Sequence, residues 1–278
     1  MSKLAERYQT ALVTGASAGL GRAVAEMLLE EGVRVWGTAR DPARLPVRPG
    51  FTAVALDLDS DASVDAAFAL ADREAGGLDL VVNNAGYGLF GAFAERDFAE
   101  WQRQLDAMLV RTLRLSHRAL RGMLVRNRGA VVNVSSLAAE FPIPFLSGYN
   151  AVKAGLAAFS ESLMMEVATT DVIVIDFRPG DYRTGFNQTM QAASEKHFAS
   201  GLPQGIRQQR AWSVLEANLR AAPPPARAAA DLRRALLRHR GGTVRSGTFF
   251  QARLAPLLAR LVPLRLRRAA AARYFGCL

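Results

Sequence analysis

Six apolar runs rich in β-branched residues, at 10–15, 33–39, 51–58, 78–86, 129–136 and 171–180, alternate along this chain with stretches of helical periodicity at 19–32, 63–76, about 97–127 and 148–167. Parallel strands need long crossovers between them, and helices that supply those crossovers cover both faces of the sheet. The chain therefore reads as α/β: one doubly wound parallel sheet with helices on both faces. In such a sheet ligands bind beyond the carboxyl ends of the strands. The polar and glycine-rich segments TGASAGLG (14–21), TAR (38–40), LDL (56–58), NNAG (83–86), VSS (134–136) and RPGDYRT (178–184) follow the six runs and would share that one edge.

With 278 residues, half of them hydrophobic, the chain can bury one large core, and a single domain over 1–278 is expected. The pattern loosens over 181–242, read as a substrate loop or lid. APPPAR (222–227) breaks the chain before a further helix, and TVRSGTFF (243–250) is a candidate seventh strand. Residues 243–278 form a basic C-terminal extension.

The net charge of +10 resides in that tail. After Asp231 there are eleven arginines and no acid, whereas the first 231 residues carry 24 cations and 25 acids. A nucleic-acid partner is not implied by so localised a charge. The single cysteine, Cys277, permits no internal disulfide and suits a reducing compartment. MSKLAERYQT leads straight into the first apolar run, and 254–266 is too short and too broken to span a bilayer, so a cytoplasmic protein is expected.

TGASAGLG joins a strand to a helix, where glycines allow positive φ and backbone N–H groups can meet phosphate. A tight turn without ligand has the same signature. In SGYNAVKAG (147–155) Tyr149 and Lys153 lie four residues apart, on one helical face. Only Lys3, Lys153 and Lys196 are lysines among 35 cations, which marks Lys153 out against the prevailing arginine. A surface Tyr and Lys remains the bland reading of that pair taken alone.

Taken together, TGASAGLG, Asp57, NNAG, Ser136, YNAVK and PGDYRT, in this order, resemble the compact branch of the short-chain dehydrogenase/reductase family over about residues 8–186. The resemblance implies a Rossmann-type fold and hydride exchange between a nicotinamide cofactor and a carbonyl or secondary alcohol. It assigns Gly15, Ser17, Gly19, Leu20 and Gly21 to the pyrophosphate loop, Asp57 and Leu58 to the adenine, and Asn84, Ala85 and Gly86 to the adenine ribose. Pro179, Gly180, Tyr182 and Thr184 would hold the nicotinamide carboxamide. Tyr149 would be the general acid or base, its pKa drawn down by Lys153 and the oxidised nicotinamide together; Lys153 would also bind the nicotinamide ribose. Ser136 would hydrogen-bond the substrate oxygen.

Arg40, where an acid usually meets a ribose 2′-hydroxyl, suits a 2′-phosphate, so NADP(H) is expected over NAD, with Ser17 adding a hydroxyl. Arg40 paired with Asp41, or simply facing solvent, is the alternative. Counting 24 residues past Asn84 reaches Met108, where the family often has a relay asparagine; no Asn occurs between Asn84 and Asn127. That departure keeps a second reading open, a non-catalytic or weakly catalytic NADP-binding regulator. A sugar-nucleotide epimerase or dehydratase is disfavoured by the glycine spacing. Phe141, Pro142, Ile143 and Phe145 are expected to line a pocket for a lipophilic ketone or alcohol. His117, His197 and His239 have no metal-ligand spacing and read as surface residues, so no metal is expected. The resemblance also implies a homodimer or homotetramer through 97–127 and 148–167. For the arginine-rich tail, a solvated face, a membrane surface and an acidic carrier all stay open.

Overall fold

A computed structural model of the chain describes residues 3–186, 190 and 203–278. Seven strands form one sheet: β1 (Thr10–Val13), β2 (Arg34–Ala39), β3 (Phe51–Ala55), β4 (Leu80–Asn83), β5 (Gly129–Val134), β6 (Val172–Pro179) and β7 (Gly242–Ser246). Their order is β3-β2-β1-β4-β5-β6-β7 and every pairing is parallel. The order reverses between β1 and β4, which opens a crevice at their carboxyl ends.

Alternation along each strand sends side chains to opposite faces and makes two cores. Ala11 and Val13 of β1, Leu80 and Val82 of β4, and Ile173, Ile175 and Phe177 of β6 share one apolar cluster. It is covered by α1 (Lys3–Arg7), α2 (Gly19–Glu30) and a later helix, α8 (Pro225–Arg238). Leu12, Val81, Val131, Val172 and Val174 face the other way. There they meet α3 (Asp61–Ala75), α5 (Arg111–Val125) and the far part of α6 (Ser147–Glu166). The expected doubly wound α/β architecture is thus the observed one.

Three departures have local causes. The helix expected over 97–127 is α4 (Phe98–Leu105) followed by a π turn, Asp106–Val110, and then α5. Within the loosely patterned region, α7 (Pro203–Arg220) is a full helix. Its sequence is polar, with a weak periodic signal, but Ala211, Trp212 and Leu215 are buried. The seventh strand is real but stops at Ser246. Gly247 follows at φ +157, and the chain then turns helical through Phe250–Leu254, α9 (Ala255–Leu261) and α10 (Leu264–Tyr274). Residues 187–189 and 191–202 of the expected loop, with Lys196 and His197, lie outside the described residues.

His117 is exposed as expected, but His239 is not a free surface residue. It ends α8 in the left-handed conformation, with the Tyr8 hydroxyl 2.7 Å from Nδ1 and the Asp171 carbonyl 3.2 Å from Nε2. The ring pins the end of α8 to the start of the chain. Among the described residues no group of His, Cys, Asp and Glu could hold a metal ion, and no helix is long and apolar enough to cross a membrane.

Candidate active site

The glycine loop enters α2 with Ala18 as N-cap and no side-chain cap, and there is no acid in the first turn. The helix N-terminus is therefore left electropositive. Gly15 and Gly19 have φ of +69 and +55. At Gly21 an added Cβ would fall 2.2 Å from the Gly15 carbonyl oxygen and 2.4 Å from Asn84 Nδ2, so only glycine fits. Leu20 packs against the core beneath the loop, and Ser17 is half-buried beside it. Thr184 Cβ would lie 3.1 Å from a Cβ at Gly19, which brings the segment after β6 onto the loop. These features fit a dinucleotide pyrophosphate: backbone donors, little side-chain bulk and no competing negative charge.

The NNAG turn is stitched to this loop. Thr14 Oγ1 accepts from the Asn84 and Ala85 N–H groups, both at 2.9 Å, and Asn84 Nδ2 donates to the Thr14 carbonyl at 2.9 Å. Gly86 is exposed, and a Cβ there would meet Met108 Cε at 2.6 Å. Asp57 is exposed, its carboxylate accepting from the Asp59 N–H at 3.0 Å, with Leu58 half-buried beside it.

Arg40 is exposed and has no ion pair among the described residues, while Asp41 is occupied by the Ala43 N–H at 3.0 Å. An Arg40–Asp41 pair is thus not formed, and Arg40 faces solvent. A small pocket of about 120 Å³ nearby is lined by Ser17, Arg22, Arg44, Leu45 and Pro46. Sequence reasoning missed Arg22 and Arg44. The ARDPAR spacing, with Pro42 starting the short turn Pro42–Arg44, was the signal that could have found Arg44.

Across the crevice, β5 ends in Ser135 and Ser136, and the first turn of α6 carries Tyr149. A hydrogen bond with Ser136 favours the phenolate, but burial outweighs it and the Asp181 charge adds to the burial, so the phenol is pushed up to about 12. Lys153 is buried, its Nζ donating to the Val134 carbonyl at 2.7 Å and standing 5.5 Å from the Tyr149 ring centre. Burial draws its ammonium down to about 8, against the opposing pull of Asp176. In the protein without cofactor, desolvation dominates and the phenol is protonated. On β6, paired with β5, Asp176 accepts from the Ser135 hydroxyl and from Arg178 Nε at 2.6 Å. Arg178 and Arg245 both reach Glu140, at 2.6 and 2.7 Å.

Gly180 donates to the Ser246 carbonyl at 2.7 Å, which ties the end of Pro179–Gly180 to β7. The Tyr182 side chain is buried in the core and pairs with Ser246, leaving its backbone at the edge. Beside Tyr149, Phe90, Leu146, Trp212, Leu215 and Phe275 form an apolar cluster that Ile143, Phe145 and Phe186 join. Phe141 and Pro142, expected in the same lining, do not belong to it. Phe145 adopts φ +63, a strained conformation for an aromatic residue, at the pocket wall.

Met108 sits in the π turn, buried, its Sδ accepting from the Tyr87 N–H at 3.3 Å and its carbonyl accepting from Thr112 Oγ1 at 2.8 Å. π turns often mark functional sites.

Gly21→Ala forces a Cβ against the Gly15 carbonyl, and is expected to weaken nicotinamide-dinucleotide binding by at least about tenfold and to lower stability by about 2 kcal/mol or more. Fluorescence titration with NADPH and urea unfolding measure both; unchanged binding would contradict the role given to the loop.

Residues 9–195 match the family profile described as short chain dehydrogenase (adh_short). A 3-oxoacyl-(acyl-carrier-protein) reductase of Vibrio cholerae is 31% identical over 202 residues, covering 71% of this chain and 83% of the relative. A 3-ketodihydrosphingosine reductase of Bacteroides thetaiotaomicron is 33% identical over 178 residues, covering 64% and 65%. The crystal structure of a short-chain dehydrogenase from Streptomyces avermitilis superimposes with a TM-score of 0.75 at 29% identity, covering 92% of this chain and 95% of that one. With the sheet order, the glycine loop and the Ser136–Tyr149–Lys153 grouping already in place, these matches make the chain a member of the short-chain dehydrogenase family, a nicotinamide-dependent oxidoreductase.

Proposed function

We propose that the chain is an NADP(H)-dependent reductase of a lipophilic ketone, running also as the reverse alcohol dehydrogenase. The observation that carries this reading is the Tyr149 hydroxyl, hydrogen-bonded with Ser136 at the end of β5 and one helical turn from the buried Lys153. When bound, the nicotinamide supplies the hydride. Gly15, Ser17, Gly19, Leu20 and Gly21 would hold its pyrophosphate, Asp57, Leu58 and Asn84–Gly86 the adenosine, and Pro179, Gly180, Tyr182 and Thr184 the carboxamide.

Ser136 then donates to the substrate oxygen, and Tyr149 passes its proton to that oxygen as negative charge develops on it. The phenolate left behind is stabilised by Lys153, an ammonium below about pH 8. Phe90, Phe145, Phe186 and Trp212 beside Tyr149 favour an apolar substrate. The two curated relatives described above are named for reduction of a 3-oxo or 3-keto group, which suggests the same class here. Exposed Val110, Leu124, Val125 and Met165 on the helices of 97–127 and 148–167 support a homo-oligomer through those faces. A cytoplasmic setting fits the single free cysteine.

Tyr149→Phe removes the hydroxyl while keeping the ring against Phe186. It is expected to cut NADPH turnover on hydrophobic 3-oxo compounds by about 10²–10⁴-fold with cofactor affinity retained. Retained activity would refute the assignment. Tight NADPH binding with no turnover in the wild type would favour the regulator reading that Met108 motivates. In the reduction direction the rate should fall as pH rises through about 8, where Lys153 loses its proton; a flat profile across that value contradicts the role of Lys153.

The unpaired Arg40 and the pocket with Arg22 and Arg44 support NADP(H). Arg40→Asp should lower the NADPH-over-NADH preference, measured as the ratio of kcat/KM, by at least about tenfold. An unchanged ratio sinks the cofactor proposal.

A further inference from the structure

The chain from Phe249 to Tyr274 is held to the rest of the protein at both ends. At one end, Gln251 Nε2 donates to Asp181 at 2.6 Å, beside Gly180 at the end of β6. At the other, Phe275 enters the apolar cluster that Tyr149 packs against. Between these anchors the helices carry large apolar side chains into solvent. Leu257, Leu261, Leu264 and Leu266 are 56%, 76%, 50% and 60% exposed, and Phe249 is 74% exposed. Arg253, Arg265 and Arg268 are exposed among them. No acid follows Asp231 anywhere in the sequence, so the local charge is of one sign.

So many exposed leucines call for a cover. A second copy docked by this face would set arginine against arginine across a two-fold axis, with no carboxylate of the segment to offset them. A soluble acidic protein would match the arginines and leave the leucines unexplained by charge alone. An anionic bilayer satisfies both: leucines enter the acyl boundary, while arginines lie among the lipid phosphates. The helices are too short to span and suit the interface plane.

We infer that residues 249–274 form a docking surface for an anionic lipid bilayer, strapped across the mouth of the active site. The surface stands without the reductase reading. Its meaning for catalysis, delivery of a lipid-borne substrate to the apolar cluster beside Tyr149, rests on that reading.

The test is sedimentation of the full-length protein with vesicles of phosphatidylcholine alone and of phosphatidylcholine with phosphatidylglycerol, at low and high salt. Binding is expected to the anionic vesicles and to weaken with salt. Leu257→Ser/Leu261→Ser/Leu264→Ser/Leu266→Ser and, separately, Arg253→Gln/Arg265→Gln/Arg268→Gln should each reduce it by at least about tenfold. All of these positions are exposed, and retained NADPH binding by each variant verifies its fold. Tyr149→Phe protein should bind vesicles as the wild type does, so failure of the chemistry and failure of docking are read apart. Three results would overturn the inference: no pelleting with either vesicle, equal binding to neutral and anionic vesicles, or a leucine variant that binds lipid normally while light scattering shows an oligomer broken apart.

Discussion

The hydroxyl of Thr14 is the point on which the crevice depends. It accepts two backbone N–H groups of the NNAG turn, and the Asn84 amide reaches back to the Thr14 carbonyl. Two loops from neighbouring strands, β1 and β4, are thereby fixed at the place where the strand order reverses. Buried backbone groups in such loops need partners, because strand pairing has ended and water is partly excluded. One small side chain supplies them. The close fit at Gly21 follows: with Asn84 and Gly15 held in place, no space remains for a Cβ.

The sheet and the cofactor edge were legible in the sequence because both arise from local rules. Val-rich runs buried on two faces, glycines needing positive φ, and polar residues grouped just beyond each run are all short-range signals. Tyr149 and Lys153 were legible for a similar reason, since a spacing of four on one helix fixes their proximity. What was not legible depended on distant packing. α7 hides a polar sequence whose buried face, Ala211, Trp212 and Leu215, has meaning only once Phe90 and Leu146 are beside it. His239 looked like one more residue in an arginine-rich helix, but Tyr8 makes it a clasp from 231 positions away. Electrostatics stayed hidden for the same reason: the sequence places Lys153 near Tyr149 but does not report how far burial lifts the phenol.

β6 shows a second long-range arrangement. Asp176 and Arg178 bring charges into a strand otherwise filled mostly by Val, Ile and Phe, and Glu140, from the turn after β5, joins them. Desolvating such groups is costly unless every member is paired, and here each has a partner. The chain of contacts runs from Arg245 on β7 through Glu140 and Arg178 to Asp176, and ends on Ser135 next to Ser136. It ties the far edge of the sheet to the loop that carries the proposed substrate-binding serine. Rigidity at Ser136 is thus shared across three strands rather than set by the loop itself.

The position of Phe275 has a consequence for the whole chain. Phe275 lies in the same apolar cluster as Phe145 and Phe186 beside Tyr149, so that cluster closes only when a segment distant in sequence from β5 and α6 has folded back onto them. The scaffold that would take up cofactor is thus built without Phe275, and the apolar wall beside Tyr149 is completed by a segment that returns from beyond β7.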